Sequence, residues 1–134
     1  MKYDFGIMVL EEGMSEKHGY LGIDTRANLR EGTQDVEICG YPVDKETGTM
    51  WSAKGELCDK CKFDYLLVHK NATVDGQSGG PIIKKEEGRE FVVGIHIGGD
   101  SRKKVNIGVR ITKEVKRMIN KWVKGMSGAL NLSK

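Results

Sequence analysis

The sequence predicts an all-β chain followed by one C-terminal helix, and three observations carry that prediction. Eighteen glycines against two prolines in 134 residues call for many tight turns and close backbone approaches. Short segments that are apolar or that alternate polar and apolar residues recur from Asp35 to Ile111, the period of half-buried strands. At Thr112 the period changes, and Val115, Met118, Ile119 and Trp122 fall at i, i+3, i+4 and i+7, one face of a helix.

In chain order, Phe5 to Leu10 is a short apolar run that reads as a buried strand with Asp4 at its mouth. Glu11 to Glu31 is polar and broken by glycines, and is expected to be an extended connection. Asp35 to Tyr41 alternates cleanly and stops at Pro42. A second strand is expected from Thr47 through Trp51, and a third from Phe63 to His69. Pro81–Ile83 and Phe91–Ile97 form a hairpin across the charged turn Lys84–Arg89, and Val105–Ile111 is the last strand. Thr112 is a natural N-cap. The cations Lys113, Lys116, Arg117, Lys121 and Lys124 read as a solvated helix face, and the tail from Gly125 is expected to fray.

Composition narrows the function. The chain is of single-domain size, and 22 basic against 19 acidic residues leave a formal charge of +3, which makes no case for nucleic acid or an anionic membrane. No apolar run approaches the roughly 18 residues of a membrane span, and Met1–Asp4 leads straight into the first apolar segment with no signal peptide expected. Cys39, Cys58 and Cys61 are three, so they cannot form a complete intrachain disulfide framework. Cys58 and Cys61 make a lone C-x-x-C without a full ligand set; neither a metal site nor a cofactor is expected.

Thr73-Val74-Asp75-Gly76-Gln77-Ser78-Gly79-Gly80-Pro81 carries the chemistry. It sets one serine among glycines that permit a tight turn with exposed N–H donors and close approach of another backbone. The string G-x-S-x-G also occurs in α/β-hydrolases. There a helix follows the serine, and the acid and histidine come later; here a β-like run follows, and no histidine lies beyond His96.

Asp4 heading Phe-Gly-Ile-Met-Val-Leu, Gly76 to Pro81, and Val93 to Gly99, in that order, resemble the chymotrypsin-like serine proteases. Gly40-Tyr41-Pro42, Thr49-Met50-Trp51, Gly94-Ile95-His96 and Gly108-Val109-Arg110-Ile111 resemble the glutamyl endopeptidase branch. The resemblance runs from about Asp4 to Trp122. It implies an all-β fold, the C-terminal Greek-key β-barrel (32–111), preceded by the last strand of a first barrel and an inter-barrel connection (1–31), and followed by a helix (112–125) and a tail (126–134).

It further implies Ser78 as nucleophile, Asp4 as the acid that orients the histidine, and the N–H groups of Gly76 and Ser78 as oxyanion hole. Thr73 and His96 would line a pocket for an acidic side chain, and Ile97, Gly98 and Gly99 would pair with substrate backbone. Gln77 stands where the trypsin-type branch has an aspartate, so activation by a new N-terminal amine is not expected. The catalytic histidine of that family precedes the aspartate, and only Met1, Lys2 and Tyr3 precede Asp4. The expectation is therefore an endopeptidase acting on polypeptides after Glu, completed by a histidine-bearing N-terminal barrel or partner chain. The alternative is a non-catalytic relic or peptide-binding module.

Overall fold

Alternation decides which faces meet. In β2 (Val36–Gly40) Val36, Ile38 and Gly40 are buried while Glu37 and Cys39 are only partly so. Val36, Ile38, Leu57, Leu67, Ile82 and Val93 form one core cluster, none more than 6% exposed, and each fully buried aliphatic side chain contributes about 1.5–3 kcal/mol. A smaller cluster joins Cys58, Val68 and Val105. The computed structural model describes residues 2–25, 29, 36–58 and 63–131.

Besides β2, the strands are β1 (Gly22–Ile23), β3 (Trp51–Gly55), β4 (Leu57–Cys58), β5 (Leu66–His69), β6 (Pro81–Glu86), β7 (Arg89–Asp100) and β8 (Val105–Arg110). The sheet order is β3-β2-β6-β7-β8-β5-β4, antiparallel throughout, with β1 pairing parallel to β7. The two outer strands, β3 and β4, are consecutive pieces of chain separated by Glu56 alone. The sheet therefore wraps round into a barrel, as the sequence predicts.

Asn71 staples that seam. Its Nδ2 donates to Val36 O at 2.9 Å and to Ala53 O at 2.8 Å, and a Cβ on Gly55 would lie 2.8 Å from its side chain. The β6–β7 hairpin turns through Glu87 and Gly88, at φ 50 and 74, the two positive dihedrals of a type I′ turn. Both strands run further into the charged residues than the sequence suggests, because a hairpin outside the core tolerates charge on its exposed faces.

The helix α2 (Lys113–Asn131) starts as expected, with Thr112 Oγ1 accepting the N–H of Val115 at 3.3 Å, but it continues through Gly125 and ends six residues later than the expected 125. An interior glycine costs a helix about 1 kcal/mol, which does not end it here. Val115 is fully buried, whereas Trp122 is 37% exposed.

Three expectations need correction. The expected strand Phe5–Leu10 has no strand assignment, and Met8 and Leu10 are 86% and 57% exposed. An extended segment becomes a strand only when a neighbour completes its ladder, and among the described residues none pairs with it. The expected strand start at Thr47–Met50 is a turn: Gly48 has φ 82, and Thr49 Oγ1 donates to Glu46 O at 2.6 Å. Phe63 to Tyr65 likewise turn before β5, with Leu66 N donating to Phe63 O at 3.1 Å. The connection 11–31 contains a one-turn helix, α1 (Ser15–His18), and β1, both too short to leave a periodic signal. Cys61, residues 26–28 and 30–35, and the tail beyond 131 lie outside the described residues.

Candidate active site

The segment from Asn71 to Gly80 joins β5 to β6 and is folded back on itself by its own amide groups. Gln77 is buried, its Oε1 accepts Val74 N–H at 2.9 Å, and Gly80 N donates to Gln77 O at 3.0 Å. The loop is also tied to β7, since Gly79 N donates to His96 O at 2.8 Å and His96 N to Gly80 O at 2.9 Å. These bonds occupy the N–H groups of Gly79 and Gly80, and Gln77 N donates to Val74 O at 3.4 Å. Among the described residues, those of Gly76 and Ser78 meet no acceptor within the protein and are open to one from outside.

Gly76 is required where it stands. Its φ is 92, and a Cβ there would lie 2.6 Å from Tyr41 O and 2.9 Å from Val43 Cγ1. The segment it would strike is held in place by Val43 N donating to Asp75 O at 2.9 Å.

Ser78 lines three cavities. One, of about 380 Å³, includes Thr73, His96, Gly98 and Gly99. A second, of about 530 Å³, includes Asp4, Gly79, His96 and Ile97. The third, of about 560 Å³, includes Gly76, Gln77 and the apolar groups Leu21, Tyr41, Met50 and Ile83. Every catalytic or substrate-binding residue expected from the sequence therefore shares a cavity with Ser78, although they come from three separate stretches of chain.

Asp4 reaches the second cavity because the N-terminal leg is fastened to α2. Lys2 Nζ meets Glu114 Oε2 at 2.9 Å, Tyr3 OH donates to Glu114 Oε1 at 3.1 Å, and the Phe5 and Trp122 rings lie 5.8 Å apart. Of the three histidines, His18 is exposed on α1. The other two are buried together.

His69 Nε2 and His96 Nδ1 are 3.3 Å apart. In this pair one ring donates and the other accepts, so the arrangement suits two neutral rings. His69 is wholly enclosed and its pKa is lowered to about 4, chiefly by burial, with His96 adding to the effect and the Asn71 side chain opposing it. Burial lowers His96 as well, against a hydrogen bond to the Ile107 carbonyl.

A pH dependence follows. His69 is neutral in the folded protein down to about pH 4, whereas in the unfolded chain it takes up a proton near 6.5. Its contribution to stability is complete above pH 6.5 and is lost as the pH falls from 6.5 toward 4, reaching a penalty of about 3 kcal/mol. Urea midpoints measured across that range should fall, and His69→Gln should flatten the slope; parallel slopes would contradict the assignment.

Around the first cavity His96 and Val105 are buried, Thr73, Asp100 and Asn106 half-buried, and Asp75, Ser101 and Lys104 exposed. Asn106 Nδ2 donates to Asn71 O at 2.7 Å. On β7 the register slips between His96 and Gly98, leaving Ile97 without a partner on β8. On the opposite edge β6 pairs only as far as Ile95. Among the described residues the edge from Ile97 to Gly99 is thus open beside Ser78, and an extended peptide could add to it.

The pairing of His69 with His96, the lock supplied by Gln77, and the rim residues Asp75, Ser101, Lys104 and Asn106 were not legible beforehand. A histidine at the end of an apolar strand was the one available signal for His69. Among the described residues, no three His, Cys, Asp or Glu side chains stand together as a metal-binding group, and no helix is long and apolar enough to cross a membrane.

The chain is 34% identical over 129 residues to a glutamyl endopeptidase of Bacillus licheniformis, covering 90% of this chain and 39% of that protein. It is 28% identical over 121 residues to a Bacillus subtilis protein named extracellular metalloprotease, covering 90% and 37%. A solved structure of a Glu endopeptidase in complex with MPD superposes with a TM-score of 0.70 at 26% identity, over 83% of this chain and 50% of that one. The chain thus spans less than half the length of these two curated relatives. No protein-family model matches it.

Proposed function

We propose that this chain, a member of the chymotrypsin-like serine protease family that corresponds to its C-terminal portion, carries the nucleophile, oxyanion hole and acid-accepting pocket of an endopeptidase that cleaves polypeptides after glutamate. The single observation that supports this best is the position of Ser78 where the three cavities meet. Each cavity suits one requirement of acyl transfer.

In this reading the substrate's acidic side chain enters the first cavity, toward Thr73 and His96, and its backbone pairs along Ile97–Gly99. The carbonyl oxygen of the scissile bond faces the N–H groups of Gly76 and Ser78, which stabilise the negative charge it acquires. Ser78 Oγ attacks the carbonyl carbon while a histidine takes the hydroxyl proton. That proton passes to the leaving amine, the C–N bond breaks, and an acyl-enzyme remains for water to hydrolyse. The base enters the second cavity, between Asp4 and Ser78, from a histidine-bearing barrel. Asp4 orients the imidazole there.

The Glu preference is tested with paired fluorogenic peptides that differ only in Glu or Gln at the cleaved position. With the chain joined to a histidine-bearing barrel, kcat/KM should favour Glu by roughly 10²-fold or more, since a site built to pair a polar group rejects an analogue that leaves it unpaired. Equal rates on the two peptides would defeat the specificity. Tight binding without turnover by the joined protein would favour the peptide-binding alternative.

A further inference from the structure

An acid-accepting pocket must offset the charge it buries. Thr73 is uncharged, and His96 is buried against His69 in an arrangement that suits neutral rings. The remaining polar residues around this cavity are Asp75, Ser78, Asp100, Ser101, Lys104 and Asn106. Of these only Lys104 carries a permanent positive charge.

Lys104 is also held unusually. It closes the β7–β8 turn at φ 51, a left-handed conformation that a long side chain adopts at a cost of about 1–2 kcal/mol and that glycine or asparagine would take more easily. Strain of this kind is a pointer to function where a second observation agrees with it. Here the second observation is the charge pattern of the turn. The Asp100 carboxylate accepts the N–H groups of Arg102 and Lys103 at 3.0 and 3.3 Å and lies 3.7 Å from Lys103 Nζ, so its charge is engaged within the turn. Among the described residues Lys104 has no ion-pair partner. Asp75, exposed on the same rim, would repel an incoming carboxylate, and a cation lining the same cavity offsets that repulsion.

We infer that Lys104 is a specificity-determining residue whose ammonium meets the substrate's carboxylate at the mouth of the Thr73–His96 cavity, an inference that rests on the Glu-directed reading above. The hydroxyl of Thr73 and the His96 ring then orient the carboxylate, and Lys104 supplies the opposite charge. Being on the rim, the pair works through partly screened attraction and is worth less than a buried one.

The test is equilibrium binding, so that it does not depend on turnover. The 134-residue chain carrying Ser78→Ala is titrated calorimetrically with two blocked pentapeptides that differ only in a central Glu or Gln. Lys104→Gln and Lys104→Asn are each expected to lower the Glu-over-Gln affinity ratio about five- to tenfold. Binding of the Gln peptide should be unchanged, and the salt dependence of Glu binding weaker. The Asn variant suits the left-handed backbone and guards against misfolding, which thermal melts would report. A ratio that survives both substitutions overturns the role of Lys104 and leaves the Glu reading standing. A parent chain that binds both peptides equally overturns the two together.

Discussion

Replacing Ser78 by alanine in the chain joined to a histidine-bearing barrel is expected to lower kcat on a Glu peptide by a factor on the order of 10⁴–10⁶, with KM little changed. The loss is large because, in the proposed mechanism, the hydroxyl oxygen forms the acyl bond. KM should hold because the contacts proposed for Thr73, His96 and the open edge Ile97–Gly99 do not depend on the hydroxyl. A fluorophosphonate probe should add its phosphonyl group to Ser78 of the joined protein, seen as a mass increase on that residue, and should not label the variant. Residual activity within about tenfold of the parent would show that another group attacks, and would remove Ser78 from the mechanism.

The second large effect is expected at Gly76. An alanine there must adopt φ near 92 and place its Cβ 2.6 Å from Tyr41 O. The turn then has to shift, carrying the Gly76 and Ser78 N–H groups off the position proposed for the oxyanion. Loss of one such donor lowers kcat by roughly 10²–10³, and the strained backbone should add destabilisation of about 1–3 kcal/mol. Gly79 is the internal comparison. Its φ of 86 is also left-handed, but a Cβ there meets nothing within 4 Å. Gly79→Ala should therefore carry the conformational penalty alone, about 1–2 kcal/mol, with a much smaller effect on kcat. Equal losses at the two positions would show that steric displacement is not what disables Gly76→Ala.

The strands β6, β7 and β8 were legible because each carries a short apolar run between turn residues, and β2 because it alternates buried and partly buried positions, which writes a period of two into the chain. The first turns of α2 were legible for the same reason at a period of 3.6, with Thr112 marking the start. Phe5–Leu10 misled for a physical reason. An apolar run records that a segment prefers burial, not whether a neighbour is present to hydrogen-bond with it, and among the described residues this one has none. The start of β3 was misjudged because Thr47 and Thr49 are residues that favour strands, whereas here they flank the turn at Gly48.

What the sequence determined by itself is the local chemistry of Thr73 to Pro81: a serine in a glycine turn, with Gln77 in place of an acid. Local composition suffices there because the conformation of a tight turn depends on the φ values its own residues can reach. Tertiary structure decided which cavities surround that serine. Lys2 and Tyr3 fasten the N-terminal leg to Glu114, more than a hundred residues on, and so bring Asp4 to the second cavity. Strand register sets His69 against His96 and carries Lys104 to the rim of the first. These are contacts between residues far apart in the chain, fixed by the cooperative closure of the barrel, and no window of sequence contains both partners.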